Sequence, residues 1–337
     1  MNNLTSADLG WSAQDTLAEG EIPGRVIAVH RNRVEALTPD GPVDLPLYDE
    51  PLAVGDRITL AEGRIASLLP RASVLKRRAA GEAREDQLIA ANVDTLAIVT
   101  SCNADFNVAR IERYLAIATQ AGCLPLVVLT KADLCEDPRE YRRSAERISP
   151  LVTALVLDAR DPEEARALDA WCRNGQVLAL VGMSGVGKTT LQNALTGESA
   201  ATAGIREDDA RGRHTTTRRE MRRTLAGGWL IDTPGMRELG LSDVAEGIGE
   251  VFQDISDLAA DCRFRDCAHE GEPGCAVARA VAEGRLDEDR VRRWKKLLRE
   301  DQINSETIAE GRARRKGLQK MYNQGAARGR WKRGDPE

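Results

Sequence analysis

The chain has 337 residues, enough for about two domains at roughly 150 residues each and enough to bury a real core. Apolar residues make up 42%, charged residues 30% and aromatics only 4%, an ordinary globular composition that argues against a stacking-rich nucleic-acid platform. The net charge of −5 hides an asymmetry: Arg285 to Glu337 carries +7 and the rest of the chain −12, which suggests a polyanionic partner for the basic end. The longest apolar run, Val177 to Met183, is too short to cross a membrane, and MNNLTSADLG has neither the basic start nor the apolar core of a secretory leader. Seven cysteines, an odd number without secretory context, point to thiols in a reducing cytoplasm.

In chain order, residues 1–20 read as a flexible arm. Residues 21–75 read as short strands (GRVIAVH, RVEALT, VDLPLY, DRITLA, RIASLLP) punctuated by Gly, Pro and Asp, as in a small OB-type β-barrel. Residues 76–245 change rhythm. Apolar strand candidates VDTLAIVT, LPLVVLT, ALVLDA and QVLALVG alternate with helical stretches near 108–121, 137–148, 162–174 and 188–197. That alternation predicts an α/β domain with a parallel sheet, followed by strands in TTRREMRRTL and GWLIDT. Residues 246–310 read as helical with a Cys/His knot, and 311–337 as a basic tail.

The segment Gly182, Met183, Ser184, Gly185, Val186, Gly187, Lys188, Thr189 is a full G-x-x-x-x-G-K-[ST] match between a buried-type strand and a helix. Its backbone amides and the helix N-terminus suit phosphate oxygens, with Thr190 in the first turn. Lys188 would neutralise the β- and γ-phosphates and Thr189 would hold Mg²⁺. At the end of the last strand, DTPG offers Asp232 to Mg²⁺ and a Gly235 amide to the γ-phosphate. Earlier, Thr130, Lys131, Ala132 and Asp133 close strand LPLVVLT. A carboxylate there can accept from guanine N1–H and N2–H₂, while the Lys131 stem covers the base. Thr130 stands where G proteins usually carry Asn, and a hydroxyl replaces only part of an amide's hydrogen bonding. Residues 158–160 (Asp-Ala-Arg) fall where a further base-contacting loop would lie but match the usual Ser-Ala-Lys poorly, which puts that contact in doubt.

Cys262, Cys267, His269 and Cys275, spaced C-x₄-C-x-H-x₅-C, form a closed donor set for one structural zinc; Cys102, Cys123, Cys135 and Cys172 read as core thiols. Basic residues Arg25, His30, Arg31 and Arg33 in the barrel, and Arg211, Arg213, Arg218, Arg219, Arg222 and Arg223 around GRHTTTRRE, are candidates for phosphate contacts with RNA.

The base-reading tetrad precedes the phosphate loop, the reverse of an ordinary small G protein, so the chain is expected to be a permuted version of that fold. TKAD, GMSGVGKTTLQNAL, GRHTTTRRE, DTPG and CRFRDCAHEGEPGC together resemble the ribosome small subunit-dependent GTPase A (RsgA) family over nearly the whole chain. The resemblance implies a circularly permuted P-loop GTPase domain between an N-terminal OB-type barrel and a C-terminal zinc-stapled helical domain. It also implies a cytoplasmic, monomeric GTP hydrolase that binds the small ribosomal subunit and its rRNA late in assembly, is stimulated by it, and leaves after hydrolysis. A switch threonine among Thr215, Thr216 and Thr217, with Thr216 preferred, would close on Mg²⁺. Met236 occupies the position of the usual water-orienting Gln, which leaves His214 as a candidate for that role. A P-loop ATPase or kinase, and a non-catalytic RNA-binding protein, are the competing readings.

Overall fold

Two-residue alternation along the central strands sends successive side chains to opposite faces of one sheet, and each face meets its own core. The computed structural model describes residues 4–78, 86–198, 220–232, 239, 241 and 243–305. Its parallel centre comprises β8 (Thr95–Ser101), β9 (Leu124–Thr130), β10 (Thr153–Val156), β11 (Val177–Val181) and β13 (Trp229–Asp232), in the spatial order β10-β9-β8-β11-β13. Leu96, Ile98, Val127, Leu129, Ala179 and Ile231 enter one core; Ala97, Val99, Leu126, Val128, Leu180 and Leu230 enter the other. The crossover helices are α1 (Val108–Gln120), α2 (Pro138–Glu146), the short α3 (Pro162–Ala165) and α4 (Lys188–Thr196), close to the helical stretches read from the sequence.

The N-terminal strands are β1 (Ile22–Val29), β2 (Val34–Thr38), β3 (Gly41–Leu45), β4 (Arg57–Ala61) and β5 (Arg64–Leu68). They pair antiparallel in the order β3-β2-β1-β4-β5 around a small core of Val26, Val34, Ala36, Leu45, Ile58 and Leu60. This unit is continuous with the central sheet. The antiparallel strand β12 (Glu220–Arg223) pairs with β13 on one side and meets β1 on the other at Ala28↔Glu220. A hairpin of β6 (Val74–Arg78) and β7 (Asp86–Ala91), not expected from the sequence, joins the two parts.

The arm expected to be flexible is anchored in its middle, at Leu9 and Trp11. Leu9 is fully buried and Trp11 nearly so, Asp8 pairs with Arg223 at 3.1 Å, and the Trp229 indole donates to the Asp8 carbonyl at 2.6 Å. Arg25, read as a surface cation, lies 2% exposed and donates to the Leu9 carbonyl at 3.0 Å and the Asn92 carbonyl at 3.2 Å. Burial lowers its pKa to about 10; its two carbonyl contacts tie the arm and the N-terminal strands to the start of the central sheet, and the buried guanidinium cannot reach a phosphate outside.

The described residues continue in α5 (Ala245–Val251), α6 (Gln253–Ala260), α7 (Ala276–Ala282) and α8 (Glu288–Ser305). Of these, α5 packs on α1 and α8 reaches it through ion pairs. A Cβ on Gly247 would stand 2.2 Å from the Ala116 carbonyl oxygen, so only glycine admits this approach of α5 to α1. Glu112 of α1, fully buried, accepts from Arg293 at 2.7 Å and Arg290 at 3.3 Å on α8. Burial pushes the Glu112 carboxyl up while the two guanidinium groups pull it down. No described helix is long and apolar enough to cross a membrane.

Candidate functional site

In a parallel sheet every strand delivers its carboxyl end to the same edge, and ligands bind there. The pairings Ser101↔Thr130, Val181↔Ile98 and Ala179↔Ile231 put the ends of β9, β11 and β13 side by side. The tetrad, the phosphate loop and Asp232, far apart and out of the usual order along the chain, therefore share one edge.

The phosphate loop leaves β11 at Gly182, where φ is +141° and a Cβ would stand 2.2 Å from the Val99 carbonyl oxygen. Any side chain there would force the loop off the sheet. Met183, Ser184 and Gly185 are exposed at its tip, whereas Val186 is buried beneath. Gly187 precedes α4 and, among the described residues, no side chain caps that helix, which leaves the positive end of its dipole at the loop. Lys188 is 5% exposed; its ammonium donates to the Gly182 carbonyl at 2.8 Å and to the Met183 carbonyl. Thr189 and Thr190 lie half-buried beside it.

Thr130 repairs part of the difference from Asn. It is fully buried, and its hydroxyl lies 2.7 Å from the Val186 carbonyl and 3.1 Å from the Thr100 carbonyl. One hydroxyl proton serves one of them at a time, so Thr130 ties the base-side loop to the phosphate loop but not as fully as an amide would. Lys131 adopts a left-handed conformation at φ 58°, which starts a short turn over Ala132 to Leu134 and leaves Asp133 partly exposed at the mouth. Residues 158–160 stand in the same place, where the sequence put a further loop. Ala159 is buried; its Cβ and the Thr130 methyl lie 3.5 and 3.6 Å from where a Cβ on Gly187 would be. Arg160 forms an ion pair with Asp133 and a second, at 3.3 Å, with Asp158. The sequence places these residues here because the apolar β10 ends just before them; the pairing of Arg160 with Asp133 is what the fold adds.

Thr189 and the backbone of Asp232 share this edge; the Asp232 side chain, Gly235, Met236, His214 and Thr215 to Thr217 lie outside the described residues.

The second cluster is the Cys/His knot. The ligand atoms of Cys262, Cys267, His269 and Cys275 lie within 4.8 Å of one another. His269 Nδ1 is 3.5 Å from both the Cys262 and the Cys275 sulfur, and those sulfurs are 4.0 Å apart. Tetrahedral zinc with bonds of about 2.0–2.3 Å needs ligand spacings of this size, so the donor set fits the ion. Outer partners orient it: amides of Ala276 and Ala278 donate to the Cys262 and Cys275 sulfurs at 3.3 Å each, and Lys295 donates to the His269 carbonyl at 2.6 Å. Glu272 shapes the turn by accepting from the Ala268 and Glu270 amides at 2.9 and 2.7 Å. Its own amide and that of Glu270 hold its carboxyl down at about 2. Cys102, Cys123 and Cys172 are buried, as expected of core thiols, and burial pushes them up to about 11, 12 and 12.

The candidate RNA-contacting residues fare unevenly. His30 and Arg33 are paired with Glu35 at 2.8 and 2.9 Å, Arg222 with Glu198 and Glu220, and Arg223 with Asp8. Arg31 is exposed; Arg211, Arg213, Arg218, Arg219 and the basic tail lie outside the described residues.

A P-loop, a base-reading tetrad placed before it in the chain and a D-x-x-G strand after it, all on one sheet edge, define a circularly permuted GTPase. Residues 68–242 match the family model described as RsgA GTPase. A "Small ribosomal subunit biogenesis GTPase RsgA" of Mesorhizobium japonicum is 49% identical over 89% of this chain and 90% of its own length. A "Small ribosomal subunit biogenesis GTPase RsgA 2" of Vibrio parahaemolyticus is 46% identical over 93% of this chain and 90% of its own. Among solved structures, YjeQ from Thermotoga maritima aligns with TM-score 0.62 at 26% identity, over 83% of this chain and 98% of that one. YloQ, titled a circularly permuted GTPase, aligns with TM-score 0.59 at 21% identity over 90% and 99%, and speaks for the fold alone. The chain belongs to the RsgA GTPase family and is a GTP-hydrolysing enzyme.

Proposed function

We propose that the protein hydrolyses GTP to GDP and phosphate on the small ribosomal subunit, is stimulated by that subunit, and leaves it after hydrolysis as a late assembly factor. The observation that carries this reading is the meeting of Thr130–Asp133, Gly182–Thr190 and Asp232 at one sheet edge despite their permuted order. Asp133 reads the guanine edge, Lys131 covers the base, and the amides of Gly182 to Thr189 with the Lys188 ammonium hold the phosphates. Thr189 and Asp232 would hold Mg²⁺, which would supply neutralisation of phosphate charge. Gly235 donates to the γ-phosphate, Thr216 closes from the switch, and His214 orients the attacking water in place of the Gln that Met236 replaces. The chain works as a cytoplasmic monomer with one structural zinc at Cys262, Cys267, His269 and Cys275. The antiparallel unit over residues 21–75 serves as an OB-type barrel facing rRNA, residues 76–245 as the GTPase domain, and residues 246–310 as the zinc domain.

RNA contact runs through backbone and shape, mainly by the basic 311–337 tail, since most described barrel cations are already paired. The names of the relatives support the small-subunit role. Phosphate release from GTP and from ATP, with and without purified small subunits, tests the proposal. Slow GTP turnover that rises many-fold with subunits is expected; turnover indifferent to subunits, or preferring ATP, refutes it.

A further inference from the structure

The loop after β10 brings a cation to the carboxylate assigned to the base. The Arg160 guanidinium pairs with Asp133 through one terminal nitrogen, while Asp158 Oδ1 and Oδ2 lie 3.3 Å from its Nε and Nη2. The loop is built to hold it there. The Asp158 carboxylate accepts from the Arg160 amide at 2.9 Å, which keeps the Asp158 carboxyl below its usual range. The Asp158 amide donates to Glu164 at 2.7 Å, and buried Ala159 lies against Gly187. Arg160 itself is 65% exposed, so it can swing without disturbing that packing.

A guanidinium presents adjacent N–H donors in one plane, and so does the guanine edge with N1–H and N2–H₂. Both groups place N–H donors on a carboxylate, and Arg160 on Asp133 Oδ2 competes with guanine for that oxygen. We propose that Arg160 is a gate on the base site: it occupies Asp133 as a stand-in for guanine, and an incoming guanine displaces it onto Asp158. This rests on Asp133 being the base-reading carboxylate. Asp158 is then the residue that makes entry easy, because it retains the released cation. Arg160 slows guanine-nucleotide entry and Asp158 speeds it.

The opposed signs make the proposal testable. Stopped-flow association of a fluorescent GDP is measured at low salt for the full chain and for Arg160→Ala, Asp158→Asn and Arg166→Ala. Arg166 is 61% exposed on the adjacent turn and pairs with Glu163 and Asp169, so it controls for loss of charge alone. Arg160→Ala should raise the association rate about two- to fivefold, as expected for removal of one exposed competing ion pair. Asp158→Asn should lower it, and Arg166→Ala should leave it unchanged. The Arg160→Ala gain should shrink at high salt, where the pair is screened. An unchanged or slower rate in Arg160→Ala, or an equal gain in Arg166→Ala, overturns the gate. Failure of the unsubstituted protein to prefer fluorescent GDP over fluorescent ADP would instead overturn the reading of Asp133.

Discussion

Thr130→Val removes one hydroxyl and almost no volume from a site with no solvent exposure. It leaves the Val186 carbonyl without the donor 2.7 Å away and the Thr100 carbonyl without its neighbour at 3.1 Å. A buried polar group left unpaired costs about 1–3 kcal/mol. Val186 lies inside the phosphate loop, so much of that cost falls on the conformation that holds nucleotide. At about 1.4 kcal/mol per factor of ten, GDP affinity should fall about five- to a hundredfold. Titration with fluorescent GDP measures it, and denaturant unfolding separates the local loss from a global one. Thr130→Val with unchanged affinity and unchanged stability would refute the reasoning that this hydroxyl joins the two loops.

Gly247→Ala places a methyl 2.2 Å from the Ala116 carbonyl oxygen and 3.0 Å from the Gln120 amide nitrogen, so α5 must move off α1. Overpacking of this kind costs about 1–3 kcal/mol, read as a lower unfolding midpoint; an unchanged midpoint contradicts the close contact. Asp8 accepts from the Thr5 hydroxyl at 2.7 Å, which holds its carboxyl below the ordinary 3.8. Its anchoring of the arm is therefore complete above that value and is lost as pH falls through the lower folded value. Asp8→Asn should reproduce the acid-side loosening at pH 7 as faster hydrogen exchange at Leu9 and Trp11; unchanged exchange would sink the idea. Elemental analysis should find one zinc per chain, lost in Cys262→Ser together with thermal stability of the C-terminal helices; full zinc content in that variant would remove the site.

The central sheet was legible because its strands are apolar on both faces and its helices begin where periodicity and polar N-caps coincide, as at Asn107 and Asp137. The β6–β7 hairpin was not, since VLKRR and DQLIAA lack alternation and face different surroundings along their lengths. The arm was hidden because its anchors, Leu9 and Trp11, sit singly in polar sequence, and their burial depends on Arg25 and Trp229 arriving from elsewhere. Arg25 shows the same limit from the other side. Its charge is visible in the sequence, but the carbonyls of Leu9 and Asn92 that accept from it come together only in the fold. Motifs carried the phosphate loop and the Cys/His knot because their chemistry is local. The pairing of Arg160 with Asp133 was not legible, because it depends on the fold bringing the 158–160 loop beside the tetrad and not on residue types.

Asp133, reached early in a permuted chain, reads the base of the nucleotide whose phosphates Gly182–Thr189 hold. Guanine presents N–H donors at positions 1 and 2; xanthine replaces the second with a carbonyl acceptor, which the amide of an Asn can satisfy. The most direct test is the affinity of the unsubstituted protein and of Asp133→Asn for GDP and for xanthosine diphosphate. The unsubstituted protein should prefer GDP, and Asp133→Asn should reverse the preference, each by about ten- to a hundredfold as for one bidentate base contact. Asp133→Asn that still prefers GDP would contradict the claim.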